Sequence, residues 1–183
     1  DRTTNGHGAV ADLTLSQIES LDAGSWFRPQ FAGQRVPTLD SFLARYAQRL
    51  PVLLEIKEPG TEEAIVDLAI QHQAKATYVS FHLAALEKVL QIVPEARVGV
   101  ITTTLDEELI ARAARMGASE MVVLASAITT GLVESAHRVP LSIWAWGIKD
   151  ESWLLRVAGM GIEGVAVDWP KVARDALAKA HGI

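Results

Sequence analysis

No cysteine occurs in the 183 residues. That excludes disulfides, thiolate metal sites and a cysteine nucleophile, and it leaves the redox compartment open. Cationic excess is missing too: 17 lysines and arginines stand against 22 aspartates and glutamates, for a net charge of -5. A nucleic-acid backbone or an anionic membrane surface is therefore not the expected partner; a small molecule is. No apolar run is long enough to span a bilayer, and the opening "DRTTNGHG" is polar, so neither a membrane span nor a signal peptide is expected. No G-x-G-x-x-G and no G-x-x-x-x-G-K-[ST] follows the first strand-like run, which argues against a nucleotide-binding open sheet. His7, His72, His82, His137 and His181 follow no metal-ligand spacing; His72, His137 and His181 fall late in helical stretches, where solvated or dipole-facing histidines are common.

What the chain does have is alternation. Strand-like runs at Val52 to Lys57, Thr77 to Phe81, Arg97 to Ile101, Glu120 to Leu124, Leu141 to Trp146 and Gly164 to Asp168 are each followed by a helical stretch. Helix boundaries are marked by Thr61 with Glu63 at a start, Gly117 and Gly161 at ends, and Pro170 in a first turn. Six βα units imply a parallel sheet covered on both faces, open or closed into a barrel, and the lack of a phosphate-binding loop favours the barrel. Residues 1–183 read as one barrel domain. Its residues 1–50 hold two amphipathic pieces, "TLSQIESLDAG" and "TLDSFLARYAQRL", and no strand.

In "PVLLEIKEPG" (residues 51–60), side chains alternate, so Val52, Leu54 and Ile56 share one face while Leu53, Glu55 and Lys57 share the other. In a barrel strand the second face points inward, with Lys57 at the carboxyl end where barrel enzymes keep their sites. An isolated inward carboxylate is costly, so Glu55 needs a cationic partner. Two readings stand: a structural Glu55–Lys57 ion pair, or a carboxylate for a hard divalent cation beside an ammonium for an anionic oxygen. Ser80, Thr102, Thr103 and Thr104, at strand-to-helix junctions, read as helix caps. Trp144 and Trp146 close "LSIWAW" on one side of the strand, as packing or as an apolar wall for a ligand. Asp168 is either a cap for the Pro170 helix or a site residue.

"DRTTNG", "LDAGSWF", "VPTLDSFL", "LLEIKEPG" and "GVAVDWP", in this order, resemble the glycerophosphodiester phosphodiesterases, close to their bacterial cytosolic members. The resemblance covers essentially the whole chain. It implies a (β/α)8 TIM barrel of the phospholipase-C-like phosphodiesterase type and a cytoplasmic enzyme. It also implies hydrolysis of glycerophosphodiesters to glycerol 3-phosphate and an alcohol with a bound Ca²⁺ or Mg²⁺. Under it, Glu55 is a metal ligand, Lys57 binds phosphate, and Trp144, matching the tryptophan of W-T-V-N, is a substrate-side wall. Gly147 stands where that motif has asparagine. The family's first two strands, its acid and base histidines and its other metal carboxylates would lie upstream of Asp1. The expectation is therefore of a chain inactive by itself, or of a truncated, non-catalytic barrel that assembles as a homo-oligomer or binds a small molecule. Action on larger lipid head groups is a further alternative.

Overall fold

The computed structural model describes residues 1–181; the side chain of His181 lies outside the described residues. Two short helices come first, α1 (Leu15–Ser20) and α2 (Leu39–Tyr46). Six βα units follow: β1 (Val52–Glu55) and α3 (Glu62–Gln71), β2 (Ala76–Ser80) and α4 (Leu83–Ile92), β3 (Arg97–Thr102) and α5 (Glu107–Met116), β4 (Glu120–Leu124) and α6 (Thr130–Arg138), β5 (Ser142–Trp146) and α7 (Glu151–Ala158), β6 (Gly164–Val165) and α8 (Pro170–His181). The strands pair in chain order, all parallel.

Residues 1–50 hold no strand among the described residues beyond one antiparallel bridge, Asp22 to Arg35. Asp22 organises that region. Its carboxylate accepts from the N–H groups of Gly24 and Ser25 at 2.8 Å and of Gly33 at 2.6 Å, and from the Ser25 hydroxyl. Its own N–H donates to the Asn5 side chain at 2.8 Å, which ties "DRTTNG" to "LDAGSWF". These N–H groups, Ser25 first and Gly33 next, hold the Asp22 carboxyl far below the usual carboxylate range.

Helix boundaries follow local hydrogen-bonding chemistry. Asp106 and Asp150 accept from the N–H groups of Leu109 and Trp153 at 2.8 and 2.9 Å, starting α5 and α7. Gly117 ends α5 at φ 88°, a conformation open to glycine. Two expected boundaries differ. Thr61 precedes α3 but caps nothing: its hydroxyl donates to the Glu58 carbonyl, and Glu62, not Glu63, turns back to accept from the Gly60 N–H. Gly161 is not the end of α7; the helix stops at Ala158, with Gly159 after it.

The outward faces of the strands build the main core. Leu54, Ile56, Val98, Val100, Met121, Val123, Ile143 and Ala145 pack with Val66, Leu86, Val89, Ile110, Val133 and Leu154 of the helices. The inward face is set by register. Glu55 pairs with Val79, Val79 with Gly99, Gly99 with Glu120, and Glu120 with Ser142. That row begins at the last residue of β1 and reaches the first residues of β4 and β5, so the strands are staggered and tilted, as barrel closure requires. The sheet is part of an α/β barrel. Strand ends depart from expectation at β1, which stops at Glu55 and leaves Lys57 in the following loop, and at β6, which ends at Val165 rather than Asp168. β6 has one neighbour, and the ladder that would extend it is absent among the described residues.

Candidate active site

The inward side chains nearest the carboxyl ends enclose a cavity of about 340 Å³, lined by Leu53, Glu55, Lys57, Val79, Phe81, Ile101, Val122, Trp146 and Ala166. Val79, Ile101 and Val122, one from each of three adjacent strands, form its apolar floor, with Trp146 against them. Phe81 meets Trp146 edge-on, centroids 6.3 Å apart at 89°. The Trp146 indole N–H donates to the Thr102 carbonyl at 3.3 Å, which fixes the ring across the β3 and β5 ends.

Glu55 and Lys57 meet at the rim, Nζ to Oε1 3.0 Å. The strand holds the carboxylate in place, because the Ile56 N–H still bonds the Val79 carbonyl at 2.8 Å beyond the last residue of β1. Ser80 adds a second tie. Its hydroxyl donates to the Ile56 carbonyl at 2.7 Å and accepts from the His82 N–H at 3.0 Å. Thr102 likewise donates to the Thr104 carbonyl at 2.7 Å and accepts its N–H at 3.2 Å. Neither hydroxyl caps a helix as expected: His82 and Asp106 are the residues at the N-caps of α4 and α5, and Ser80 and Thr102 close the turns before them.

Of the residues singled out in the sequence, the cavity brings together Glu55, Lys57 and Trp146 but not Trp144. A Cβ on Gly164 would fall 2.2 Å from the Trp144 ring, so that indole lies over β6, one step deeper than Trp146. Leu53 lines the cavity too, on the face the alternation gave it; Phe81 and the three floor residues were not singled out as site residues in the sequence, and counting alternate positions from Glu55 through the strand pairs finds them. Asp168 makes no hydrogen bond or ion pair among the described residues, so it does not cap α8. The histidines are elsewhere: His7 against Asp1, His72 against Asp40 at 2.8 Å, and His137 against Glu163 at 3.0 Å, while His82 precedes α4 outside the lining.

The residues present do not fit a Ca²⁺ or Mg²⁺ site. No three His, Asp or Glu side chains converge on a point that could hold a metal among the described residues. Glu55 is a lone carboxylate with an ammonium already on Oε1. No helix among them is long and apolar enough to cross a membrane.

A staggered parallel sheet with helices over its outer face and a cavity at its carboxyl rim is the architecture on which α/β-barrel enzymes build their sites. The sequence model of the glycerophosphoryl diester phosphodiesterase family matches residues 1–172. YhdW of Bacillus subtilis (strain 168), provisionally named a glycerophosphodiester phosphodiesterase, is 31% identical over 93% of this chain and 74% of its own length. The glycerophosphodiester phosphodiesterase of Caldanaerobacter subterraneus subsp. tengcongensis is 30% identical over the same shares. An Oleispira antarctica phosphodiesterase, solved with the product sn-glycerol-3-phosphate, superposes with a TM-score of 0.89 at 25% identity, over 96% of this chain and 75% of that one. The chain belongs to the glycerophosphoryl diester phosphodiesterase family and is a phosphoric diester hydrolase.

Proposed function

We propose that the protein hydrolyses glycerophosphodiesters to glycerol 3-phosphate and an alcohol at the carboxyl rim of its sheet, with Lys57 holding the phosphoryl group. The observation that carries this is the exposure of the Glu55–Lys57 pair. The Lys57 side chain is 78% and the Glu55 side chain 34% accessible. A pair so open to water stabilises a fold by about 0–1 kcal/mol. Stability therefore gives little reason for two charges at the mouth of an otherwise apolar cavity, and a Lys57 ammonium on a flexible stem is free to exchange Glu55 for a phosphate oxygen.

On this reading Lys57 offsets charge on the phosphoryl oxygens as the P–O bond breaks. Glu55 keeps the ammonium at the rim between turnovers. Phe81, Trp146 and the Val79–Ile101–Val122 floor exclude water from one side of the diester. Among the described residues no histidine lines the cavity. Among the described residues β1 and β6 each have one neighbour, which leaves room for two further strands in a closed barrel of about eight. The acid, the base and the carboxylates that Glu55 would need to hold Ca²⁺ or Mg²⁺ would come with those strands, and the 183 residues alone would not turn over. The family match over residues 1–172 does not favour a non-catalytic barrel.

The test is release of glycerol 3-phosphate from glycerophosphodiesters by the full-length protein, with and without chelator. Lys57→Ala should lower kcat by about 10²–10³, and Glu55→Gln should weaken any metal dependence. Absence of turnover with every glycerophosphodiester, or near-wild-type rates in both variants, would overturn the assignment.

A further inference from the structure

Lys57 lies two residues past the end of β1, and the peptide before it decides where it points. The Ile56 side chain is 1% exposed and anchors its own Cα in the core. Its N–H donates to the Val79 carbonyl at 2.8 Å, and its carbonyl accepts from the Ser80 hydroxyl at 2.7 Å. The backbone ladder between the two strands ends at Glu55 and Val79, so the hydroxyl supplies the next rung after the Ile56 N–H. Beyond Ile56 the hydrogen bonds of the loop reach no further than the start of α3: the Thr61 hydroxyl donates to the Glu58 carbonyl, and the Gly60 N–H donates to the Glu62 carboxylate. The Lys57 side chain is 78% exposed, so little besides its pair with Glu55 holds it. Ser80 is fixed from the other side. It is wholly buried, and its oxygen accepts from the N–H of His82 at 3.0 Å, at the start of a helix that buries Ala85, Leu86 and Val89.

We propose that Ser80 is a positioning residue for the hydrolase, aiming the Lys57 ammonium at the phosphoryl group through the Ile56 peptide. This deepens the reading of Lys57 as the residue that holds phosphate and rests on it. A peptide unit is planar, so a hydrogen bond on the Ile56 oxygen fixes the rotation of the whole unit and with it the direction in which the Lys57 Cα leaves the strand. Without the hydroxyl only the N–H side of Ile56 stays tied to β2, and its carbonyl has to turn toward another donor to be satisfied. That turn is carried to the end of a four-carbon stem, where a misplacement of about 1 Å costs on the order of 10²-fold in rate. Ser80 thus refers the position of an exposed ammonium to a buried helix rather than to the exposed loop after it.

The experiment is a double-mutant cycle on glycerophosphodiester turnover by the full-length protein. Ser80→Ala should lower kcat by about tenfold to a hundredfold when Lys57 is present. In a Lys57→Ala background the same change should cost less than about twofold, because the group it aims is gone. Loss of folded protein would act equally in both backgrounds, so the difference reads position alone. Ser135→Ala removes another buried hydroxyl, between α5 and α6, and should leave kcat unchanged. An undiminished kcat in Ser80→Ala, an equal loss in both backgrounds, or a matching loss in Ser135→Ala would overturn the proposal. Should Ser80→Ala not fold, Ser80→Cys, a poorer donor of similar size, should still lose kcat severalfold, and full rate in it would refute the role. If Lys57→Ala itself turns over normally, the phosphate-holding role fails and the proposal with it; a normal Ser80→Ala beside an impaired Lys57→Ala refutes the positioning alone.

Discussion

A methyl group at Gly99 has no room. Its Cβ would lie 2.8 Å from Glu120 Cγ and 3.0 Å from Val79 Cγ1. Val79 is wholly buried and Glu120 is 2% exposed, so neither neighbour can swing into solvent. Overpacking of a buried strand in this way costs about 1–3 kcal/mol. With a urea dependence of about 2 kcal/mol per molar, Gly99→Ala should lower the unfolding midpoint by roughly 0.5–1.5 M. Urea unfolding followed by tryptophan fluorescence measures it. The inner layer makes a sharper claim through Glu120, the nearest neighbour. In a Glu120→Ala background Cγ is gone, and the cost of Gly99→Ala should drop by at least half, a coupling of about 0.5–1.5 kcal/mol. An equal cost in both backgrounds would mean that Glu120 does not fill the space over β3. Glu120→Ala also removes a buried oxygen, Oε1, that has no hydrogen-bond partner, while Oε2 is 3.9 Å from Arg97.

Trp146→Leu should raise KM for glycerophosphodiesters severalfold, whereas Trp144→Leu should lower the urea midpoint and leave KM alone; the opposite split, read from steady-state kinetics and unfolding, would return the substrate wall to Trp144. Asp22 makes a pH prediction. Because its folded-state pKa lies far below its unfolded value of about 3.9, its contribution is fully present above that value and is lost as pH falls through the folded one. Amide protection at Gly24, Ser25 and Gly33 should therefore hold from pH 7 to 5, and Asp22→Asn should abolish it across that range; protection that fades between pH 7 and 5 in the unmutated protein would contradict the assignment. Leu86, wholly buried between α4 and the sheet, should cost roughly 2–5 kcal/mol on truncation to alanine, and a loss below 1 kcal/mol by urea unfolding would deny the helix-covered core.

Much of this was legible in the sequence. The six βα units fell where the periodicity put them, and β4 matched residue for residue, because a strand buried on its outer face by helices must be apolar at alternate positions. The ends were less readable. β6 stops three residues before Asp168, and how far a strand runs depends on the ladder its neighbours offer, which is not a property of the strand's own residues. Ser80 and Thr102 carry the hydroxyls expected of helix caps. Their acceptors, the carbonyls of Ile56 and Thr104, and the donors beyond them turn them into turn closers instead. The cavity floor was invisible for a related reason. Val79, Ile101 and Val122 look like any other core residues until strand pairing sets them under Glu55.

By itself the sequence determined direction and face. Alternation within β1 put Glu55 and Lys57 on the inner side, and the same rule put Trp144 and Trp146 together. Depth was decided only in the tertiary structure. The stagger between neighbouring strands sets which inner residues reach the rim, so Trp146 borders the cavity while Trp144 lies over Gly164. Periodicity is written in each strand's own backbone geometry, whereas depth comes from hydrogen bonds between strands far apart in the chain.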